Sequence, residues 1–272
     1  FVEFRLRGAP LEPPARPLDA PTRGKVVHKL LERLYRLEPC ARGLGRLGRD
    51  ELHELFESLI GGVLDEFLEA GDPFFDGLRL LEAERLWSLV LTLRDHEVDR
   101  PGFSVVTELA RDVQIGSLSL SVRLDRLDRL DGGGELVIDY KTGKFDAGGW
   151  KRPRVPESQL PLYAVSGGCD GVAVIQLRPP AARLRGVGAE TIAMAGLKAP
   201  PAFFREAGLD WQGTLTRWRS QLEQLAREFA AGDFRVNPAD RKWAVGQFAG
   251  LTRIHEFLPA AEGDESTEED GE

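Results

Sequence analysis

The sequence predicts a mixed α/β protein. Its central mixed sheet, with an antiparallel meander, is flanked by helices and covered by a further helical layer. Three observations predict this class. Apolar residues recur at helical spacing in the first hundred residues, apolar and polar residues then alternate as in strands, and the last third returns to helix, strand and helix. A length of 272 residues suffices for one domain with an added helical part.

The first hundred residues predict three amphipathic helices. The first spans about Arg23–Leu37, the second Asp50–Ala70 and the third about Gly77–Asp99, because apolar side chains in each recur every three or four positions. We expect the segment from about 42 to 100 to form a helical insertion in the domain.

The middle of the chain predicts an antiparallel meander. Phe103–Leu109 has the composition of a strand, and Ser117–Leu130 alternates apolar and polar residues. The turn at 131–134 contains three consecutive glycines and leads into a third strand, Glu135–Lys141.

The last third of the chain predicts one more strand between two helices. A polar loop at Thr142–Val155 precedes a short helix at Glu157–Val165 and a buried strand at Gly171–Leu177. Residues 178–210 are rich in Pro and Gly and predict no definite element. Trp211–Ala231 then has the spacing of a long amphipathic helix.

Composition limits the classes of protein to which this chain can belong. Hydrophobic residues make up 42% and charged residues 29%, as in globular proteins, and no stretch approaches the roughly 20 uncharged apolar residues of a membrane span. Two cysteines cannot build a disulfide framework. We therefore expect a cytoplasmic protein with no membrane partner.

Charge is unevenly distributed along the chain. The net charge is −8, but seven acidic residues fall in 262–272, so the remainder is close to neutral and can carry a local basic patch. We expect a Pro-rich, irregular lead-in at 1–22, a domain at 23–255 and a disordered acidic tail at 256–272. Because the sequence opens with Phe1 in mid-pattern, we expect the chain to be part of a longer polypeptide.

Two acidic residues and one lysine share a face of the predicted hairpin. If the hairpin centres on Gly132, Asp125 lies opposite Asp139, and if it centres on the next glycine, Asp125 lies opposite Lys141. Two carboxylates this close repel unless a cation lies between them, and Mg²⁺ or Mn²⁺ prefers oxygen ligands. Lys141 can then position or deprotonate a water, or stabilise developing charge. The alternative is a solvated surface ion pair.

Two further residues near this hairpin have separate expectations. Asp128 has the opposite parity to Asp125, so we expect it to pair with a nearby arginine rather than to face the metal. His28 lies on the first predicted helix, four residues before Glu32, which is placed to orient its ring. A lone histidine on such a helix is also compatible with a purely structural role.

These residues belong to motifs that resemble a known family. The run RLDRLDRLDGGGELVIDYKTG at 123–143 resembles the core of the PD-(D/E)XK nucleases, in particular the RecB/AddB-type group. A G-x-x-x-H element at Gly24–His28 precedes it, and a Q-x-x-x-Y element at Gln159–Tyr163 follows it. Glu108 matches an acidic residue before the first aspartate. The resemblance implies a restriction-endonuclease-like core.

The resemblance also implies a function and a site. It implies a metal-dependent DNA nuclease, in particular an exonuclease in DNA repair or recombination, within a longer polypeptide that carries a helicase-like region. The alternative is a catalytically inactive nucleic-acid-binding or docking module. The implied Mg²⁺ or Mn²⁺ ligands are His28, Asp125, Asp139 and the Tyr140 carbonyl, with Lys141 as the catalytic lysine. Gln159 and Tyr163, one helical turn apart, order the site or contact DNA.

The loop after the third strand carries a basic run. Together with Lys141 at the end of the strand, Lys144, Lys151, Arg152 and Arg154 in this loop suit contacts with DNA phosphates, although a solvated loop is the alternative. Trp150 lies among them, and we expect it to pack in the core rather than to stack on a base.

One feature of some relatives is missing from the sequence. In those relatives, late cysteines hold an iron–sulfur cluster. The corresponding positions here are Trp243, Gly246 and Thr252, and none of these side chains supplies a thiolate. We therefore expect no iron–sulfur cluster.

Overall fold

The fold is built on a six-stranded mixed sheet in a computed structural model that describes residues 18–69 and 73–233. Spatial order follows chain order, and only the third and fourth strands, and the fifth and sixth, pair in parallel. The strands are β1 (Phe103–Ile115), β2 (Leu118–Leu130), β3 (Glu135–Lys141), β4 (Gly171–Arg178), β5 (Ala181–Gly188) and β6 (Leu197–Lys198).

Helices cover both faces of the sheet. One hydrophobic cluster joins the first three helices to one face, and a second joins the fourth and sixth helices to the other. The antiparallel meander, the mixed sheet and the added helical layer therefore agree with the predicted fold class. The helices are α1 (Ala20–Tyr35), α2 (Arg49–Leu64), α3 (Pro73–Val98), α4 (Gln159–Val165), α5 (Pro200–Phe204) and α6 (Trp211–Ala231).

Strand β3 lies at the centre because both of its faces are apolar. Leu136, Val137 and Ile138 are fully buried, the first and third in one cluster and the second in the other. Burial on both faces suits a strand that pairs in parallel with a neighbour, here β4. Asp139, the next residue in the strand, is consequently buried as well.

Most differences from the predicted elements concern their boundaries. Helix α1 begins three residues early, since the Asp19 side chain accepts a hydrogen bond from the Thr22 amide at 2.8 Å and caps it. Strand β1 extends to Ile115, beyond the expected end at Leu109. Residues 178–210, where the sequence predicted no definite element, contain β5, β6 and α5.

Residues 16–227 form one compact unit, and a second comprises 1–15 and 228–272, of which only 228–233 are described. The predicted acidic tail and the positions Trp243, Gly246 and Thr252 lie outside the described residues. In the part of the chain that the structure describes, every helix is too short or too polar to cross a membrane.

Candidate metal-dependent active site

The pairing of β2 with β3 brings two carboxylates together. Arg126 pairs with Ile138 and Leu127 with Val137, so the hairpin centres on Gly132, the first of the two registers considered. One step further along the strands, this register sets Asp125 beside Asp139 on the opposite face from Arg126. The two carboxylates are close enough that each affects the ionisation of the other.

His28 on α1 is the third side chain that joins the two carboxylates at the β2–β3 hairpin. Its Nδ1 lies 3.0 Å from Asp125 Oδ2, and its Nε2 lies 3.0 Å from the carbonyl oxygen of Tyr140. Both partners are acceptors, and only the protonated imidazole has two N–H donors for them. Burial acts to lower the pKa of His28, but the hydrogen bond to Asp125 and the charges of Asp125 and Asp139 outweigh it and raise the pKa.

Glu32 does not orient the His28 ring, so that expectation is wrong. Its carboxylate is buried and lies 2.8 Å from Arg36, 3.4 Å from Lys29 and 3.7 Å from Arg123. The nearby cations hold it away from the imidazole, which Asp125 orients instead.

Asp139 is the buried member of the carboxylate pair. It is only 5% exposed, and burial raises its pKa to about 6, with the charge of Asp125 adding to the rise. Its Oδ2 lies 3.2 Å from Lys141 Nζ, yet no described group donates to it with hydrogen-bond geometry. A solvated surface ion pair, the alternative considered for this hairpin, does not fit such burial.

Asp125 and Lys141 both favour their charged forms. Burial acts to raise the pKa of Asp125, but its hydrogen bond with His28 lowers it overall. Burial acts to lower the pKa of Lys141, but the charge of Asp139 raises it overall. Lys141 is therefore an ammonium group at neutral pH, which suits it to orient a water or a phosphate oxygen rather than to accept a proton.

A pocket of about 700 Å³ opens over these residues between α1 and the β2–β3 hairpin. His28, Asp125 and Lys141 line it. Gln159 lines it too, and its Nε2 donates to the Arg123 carbonyl at 2.9 Å. Gln159 is therefore beside the candidate site, and its role there stays a prediction.

Tyr163 is placed differently from Gln159. Its side chain is fully buried in the second hydrophobic cluster, does not line the pocket, and lies under the Arg111 guanidinium at 4.6 Å from the ring centroid. Because it is buried, the Tyr163 side chain does not contact DNA in this conformation. The other role that the resemblance implies, which is to order the site, stays a prediction. The Glu108 side chain lies outside the described part of the structure.

The basic loop does not converge on this pocket as a group. Lys144, Arg152 and Arg154 are exposed but do not line it. Trp150 is 1% exposed and its indole donates to the Glu157 carbonyl at 3.2 Å, so it packs in the core as expected. Cations that the sequence analysis did not single out, Lys25 and Lys29 on α1, lie in the pocket wall instead. Their spacing of four residues on the helix that carries His28 was the available signal.

Asp128 pairs with arginines behind the site, as its parity predicted. Arg126 forms a bidentate pair with it, and Arg100 Nη2 lies 2.6 Å from its Oδ2. Arg126 also donates to Glu97 at 2.6 Å and to the Tyr140 hydroxyl at 3.0 Å. The sequence analysis missed the structural role of Arg126, whose partner on α3 is 29 residues away in the chain.

The donor set fits a hard divalent cation. It offers two carboxylates, one backbone carbonyl and one imidazole, and oxygen donors of this kind suit Mg²⁺ or Mn²⁺. Asp139 Oδ2 is buried, and the Lys141 ammonium 3.2 Å away does not meet it with hydrogen-bond geometry, so this oxygen is a further candidate donor to a cation. Across residues 18–69 and 73–233, no three His, Cys, Asp or Glu side chains are already arranged as a complete site. Both ring nitrogens of His28 face acceptors, so a metal ligated by His28 would replace one of these two hydrogen bonds.

Comparisons with known proteins bear on the family. The crystal structure of SSO0001 matches 82% of this chain and 82% of its own, at 15% identity and a TM-score of 0.32, which is too low to carry an argument. The comparison with curated proteins gives no match. The model of the PD-(D/E)XK nuclease superfamily matches residues 2–243. Membership implies nuclease chemistry, a nucleic-acid substrate and a divalent metal. With that match over most of its length, this chain belongs to the PD-(D/E)XK nuclease superfamily.

Proposed function

We propose that this protein is a metal-dependent DNA nuclease of the RecB/AddB type that hydrolyses phosphodiester bonds as an exonuclease in DNA repair or recombination. The observation that carries the proposal is the convergence of His28, Asp125 and Lys141 on one pocket, with Asp139 buried beside Lys141 and the Tyr140 carbonyl beside His28. These groups come from α1, β2 and β3, so only the folded chain unites them.

The proposed metal ligands are His28, Asp125, Asp139 and the Tyr140 carbonyl. A bound Mg²⁺ or Mn²⁺ would polarise a phosphoryl oxygen and lower the pKa of water at the site. To serve as a ligand, His28 would give up the proton on one ring nitrogen, and Asp139 would stay ionised because a cation would offset its burial and the charge of Asp125. The two strands hold both carboxylates in place before the substrate arrives.

Lys141 has the role of a fixed cation beside the reacting phosphate. Its ammonium lies on the pocket side of Asp139, and that carboxylate keeps it protonated and holds it in place. From there it can donate a hydrogen bond to the attacking water or to a non-bridging phosphate oxygen, and so stabilise the charge that develops during attack.

The pocket wall supplies further contacts for a DNA backbone. Lys25 and Lys29 extend along α1 on one side, and Arg123 projects from β2 on the other. Gln159 bonds the Arg123 carbonyl and so ties α4 to this wall. A chain with a net charge of −8 can bind a polyanion here because these cations are gathered in one place.

The test is cleavage of end-labelled single- and double-stranded DNA in Mg²⁺ or Mn²⁺, with EDTA as the metal-free control. We expect metal-dependent cleavage that Asp139→Asn abolishes, with mononucleotides or short products released from an end if the enzyme is an exonuclease. DNA binding without cleavage in either metal would contradict the nuclease and support the alternative, an inactive binding or docking module. The repair context, the helicase-like region and the cytoplasmic location stay predictions.

A further inference from the structure

A second concave surface lies beyond the loop that follows β3. This groove has a volume of about 600 Å³ and runs along the edge of β5, where β6 and α5 adjoin it. The residues that line it come from the end of α3, from the loop after β3, from β5, from β6 and the segment before it, and from α5. Four of them are basic, namely Lys151, Arg183, Arg185 and Lys198.

The sheet register relates this groove to the active site. Arg185 pairs with Val174 on β4, and Val174 pairs with Asp139 on β3. Arg183 is related to Lys141 in the same way, through Gln176. Residues opposite one another in adjacent strands point to the same face, so both arginines share the face of the active-site residues. The two arginines lie two strand spacings, about 10 Å, from Asp139 and Lys141.

The cations of the groove are not used by the fold. Arg183, Arg185 and Lys198 are exposed, and none forms a hydrogen bond or ion pair with a residue that the structure describes. The Lys151 ammonium lies over the face of Phe203, at 4.7 Å from the ring centroid, and forms no hydrogen bond or ion pair within the described part of the chain. The carboxylate that lines the groove, Asp146, accepts from the Gly148 amide at 2.8 Å and lies 4.0 Å from Arg152. The groove therefore carries a net positive charge in an acidic chain.

Charged residues on an edge strand can also serve only to prevent edge-to-edge association. That role requires neither a concave surface nor cations gathered from three separate segments, here the loop after β3, β5 and β6, and both are present. The placement of the groove on the same sheet face as Asp139 and Lys141 favours a ligand that spans the two places. A nucleic-acid strand has repeating phosphates that meet this requirement.

We propose that the groove of Lys151, Arg183, Arg185 and Lys198 is a second phosphate-binding subsite, which holds the DNA backbone beyond the phosphate that is cleaved. The identity of the ligand as DNA rests on the proposed function. The subsite increases affinity and fixes the direction in which the strand crosses the sheet, while the reacting groups remain those of the first pocket. Contacts of this kind are independent of base sequence.

The test compares Arg183→Ala/Arg185→Ala with the wild type in binding a fluorescently labelled 20-nucleotide single-stranded DNA, in EDTA, over a series of salt concentrations. Loss of two phosphate contacts should weaken binding about tenfold and lower the slope of log K against log salt by about 1.4. Arg49→Ala/Arg227→Ala is the matched control, since it removes two exposed arginines that lie outside the groove. It should leave the slope unchanged.

Unchanged affinity and slope in the groove variant, or a wild type that does not bind the oligonucleotide, would overturn the subsite. If the groove variant aggregates while its affinity for DNA is unchanged, the arginines serve to protect the edge strand from association. That result would also overturn the subsite. A parallel cleavage assay in Mn²⁺ separates this proposal from the nuclease. If the wild type cleaves DNA and the groove variant binds DNA normally, only the subsite is rejected. If DNA binding depends on the groove but the wild type does not cleave, only the nuclease is rejected.

Discussion

At the level of single residues, the carboxyl group of Asp139 is buried beside a second carboxylate, Asp125. Its pKa is about 6 in the folded protein and near 3.8 in an unfolded chain, mainly because burial disfavours the ionised form. Between pH 4 and 6 the unfolded state releases this proton before the folded state does, so the folded protein loses stability as the pH rises. Above pH 6 the folded protein bears the full free-energy cost of ionising the buried Asp139 carboxyl group.

Removal of this ionisable group should therefore stabilise the metal-free protein. We predict that Asp139→Asn in EDTA raises the free energy of unfolding near pH 7 by on the order of 1 kcal/mol and changes it little near pH 4. Urea unfolding at several pH values measures this difference. Asp95→Asn, whose side chain is 71% exposed, is the control and should show no such pH dependence. A variant that is less stable than the wild type at pH 7 in EDTA would contradict the buried carboxylate pair.

At the level of elements, α1 has two roles, since its apolar face packs on the sheet and residues along its length, from Pro21 to Tyr35, line the pocket of the candidate site. Gly24 lies one turn before His28 and lines this pocket. A Cβ built at Gly24 meets no atom within 4 Å, so the fold does not require glycine there. The open space above it is part of the pocket, so we infer that this glycine leaves room for a ligand rather than serving packing.

Gly24→Ala should therefore separate stability from function. We predict a gain of about 0.5–1 kcal/mol in the free energy of unfolding, because alanine favours the helix, together with a several-fold loss of DNA affinity. Gly61→Ala on α2 is a matched control, since its Cβ also meets nothing within 4 Å and the residue does not line the pocket. It should give the same stabilisation with unchanged DNA binding. An equal loss of DNA affinity in Gly24→Ala and Gly61→Ala would contradict a specific role of Gly24 in the pocket.

How far the elements follow from the sequence depends on how local their causes are. Strand β3 and helix α6 have the predicted bounds, because turns and periodicity mark both within a few residues. Strand β5 was missed because its eight residues, Ala181–Gly188, include arginines and glycines rather than a β-branched run. Its formation depends on pairing with β4, a tertiary contact that local propensity does not contain.

The candidate site shows the same division between local and distant causes. The face shared by Asp125, Asp139 and Lys141 follows from the period of two in strands and was predicted. The partner of His28 was predicted wrongly, because a neighbour on the helix was considered and the true partner lies on β2, 97 positions further along. Sequence distance hides such contacts unless a family motif connects them.

At the level of the whole molecule, a buried ionic network joins the helical layer to strands β2 and β3. Arg126 on β2 is fully buried and bonds Glu97 on α3, Asp128 on its own strand and the hydroxyls of Tyr35 on α1 and Tyr140 on β3. Arg100 adds a second cation, so two positive and two negative side chains balance. The network thus holds α1 and α3 against the strands that carry the two aspartates.

Breaking this network at its centre should destabilise the whole unit. We predict that Arg126→Met lowers the free energy of unfolding by about 3–5 kcal/mol, because Glu97 and Asp128 lose their central partner while they stay buried. Urea unfolding is the measurement. Arg129→Met, which removes an arginine with a 62% exposed side chain from the same strand, should cost less than about 1 kcal/mol. Equal losses in the two variants would show that the buried charges are not held by Arg126.

The central claim, that the groups around Asp139 carry out metal-dependent cleavage of DNA, is tested most directly by a comparison of two lysines three residues apart. Lys141 lines the pocket and lies 3.2 Å from Asp139, whereas Lys144 is exposed and outside the pocket. Cleavage rates of end-labelled DNA in Mn²⁺ should fall by at least about 10²-fold in Lys141→Ala and by less than a few-fold in Lys144→Ala. Full activity of Lys141→Ala, with metal-dependent cleavage intact, would contradict the account.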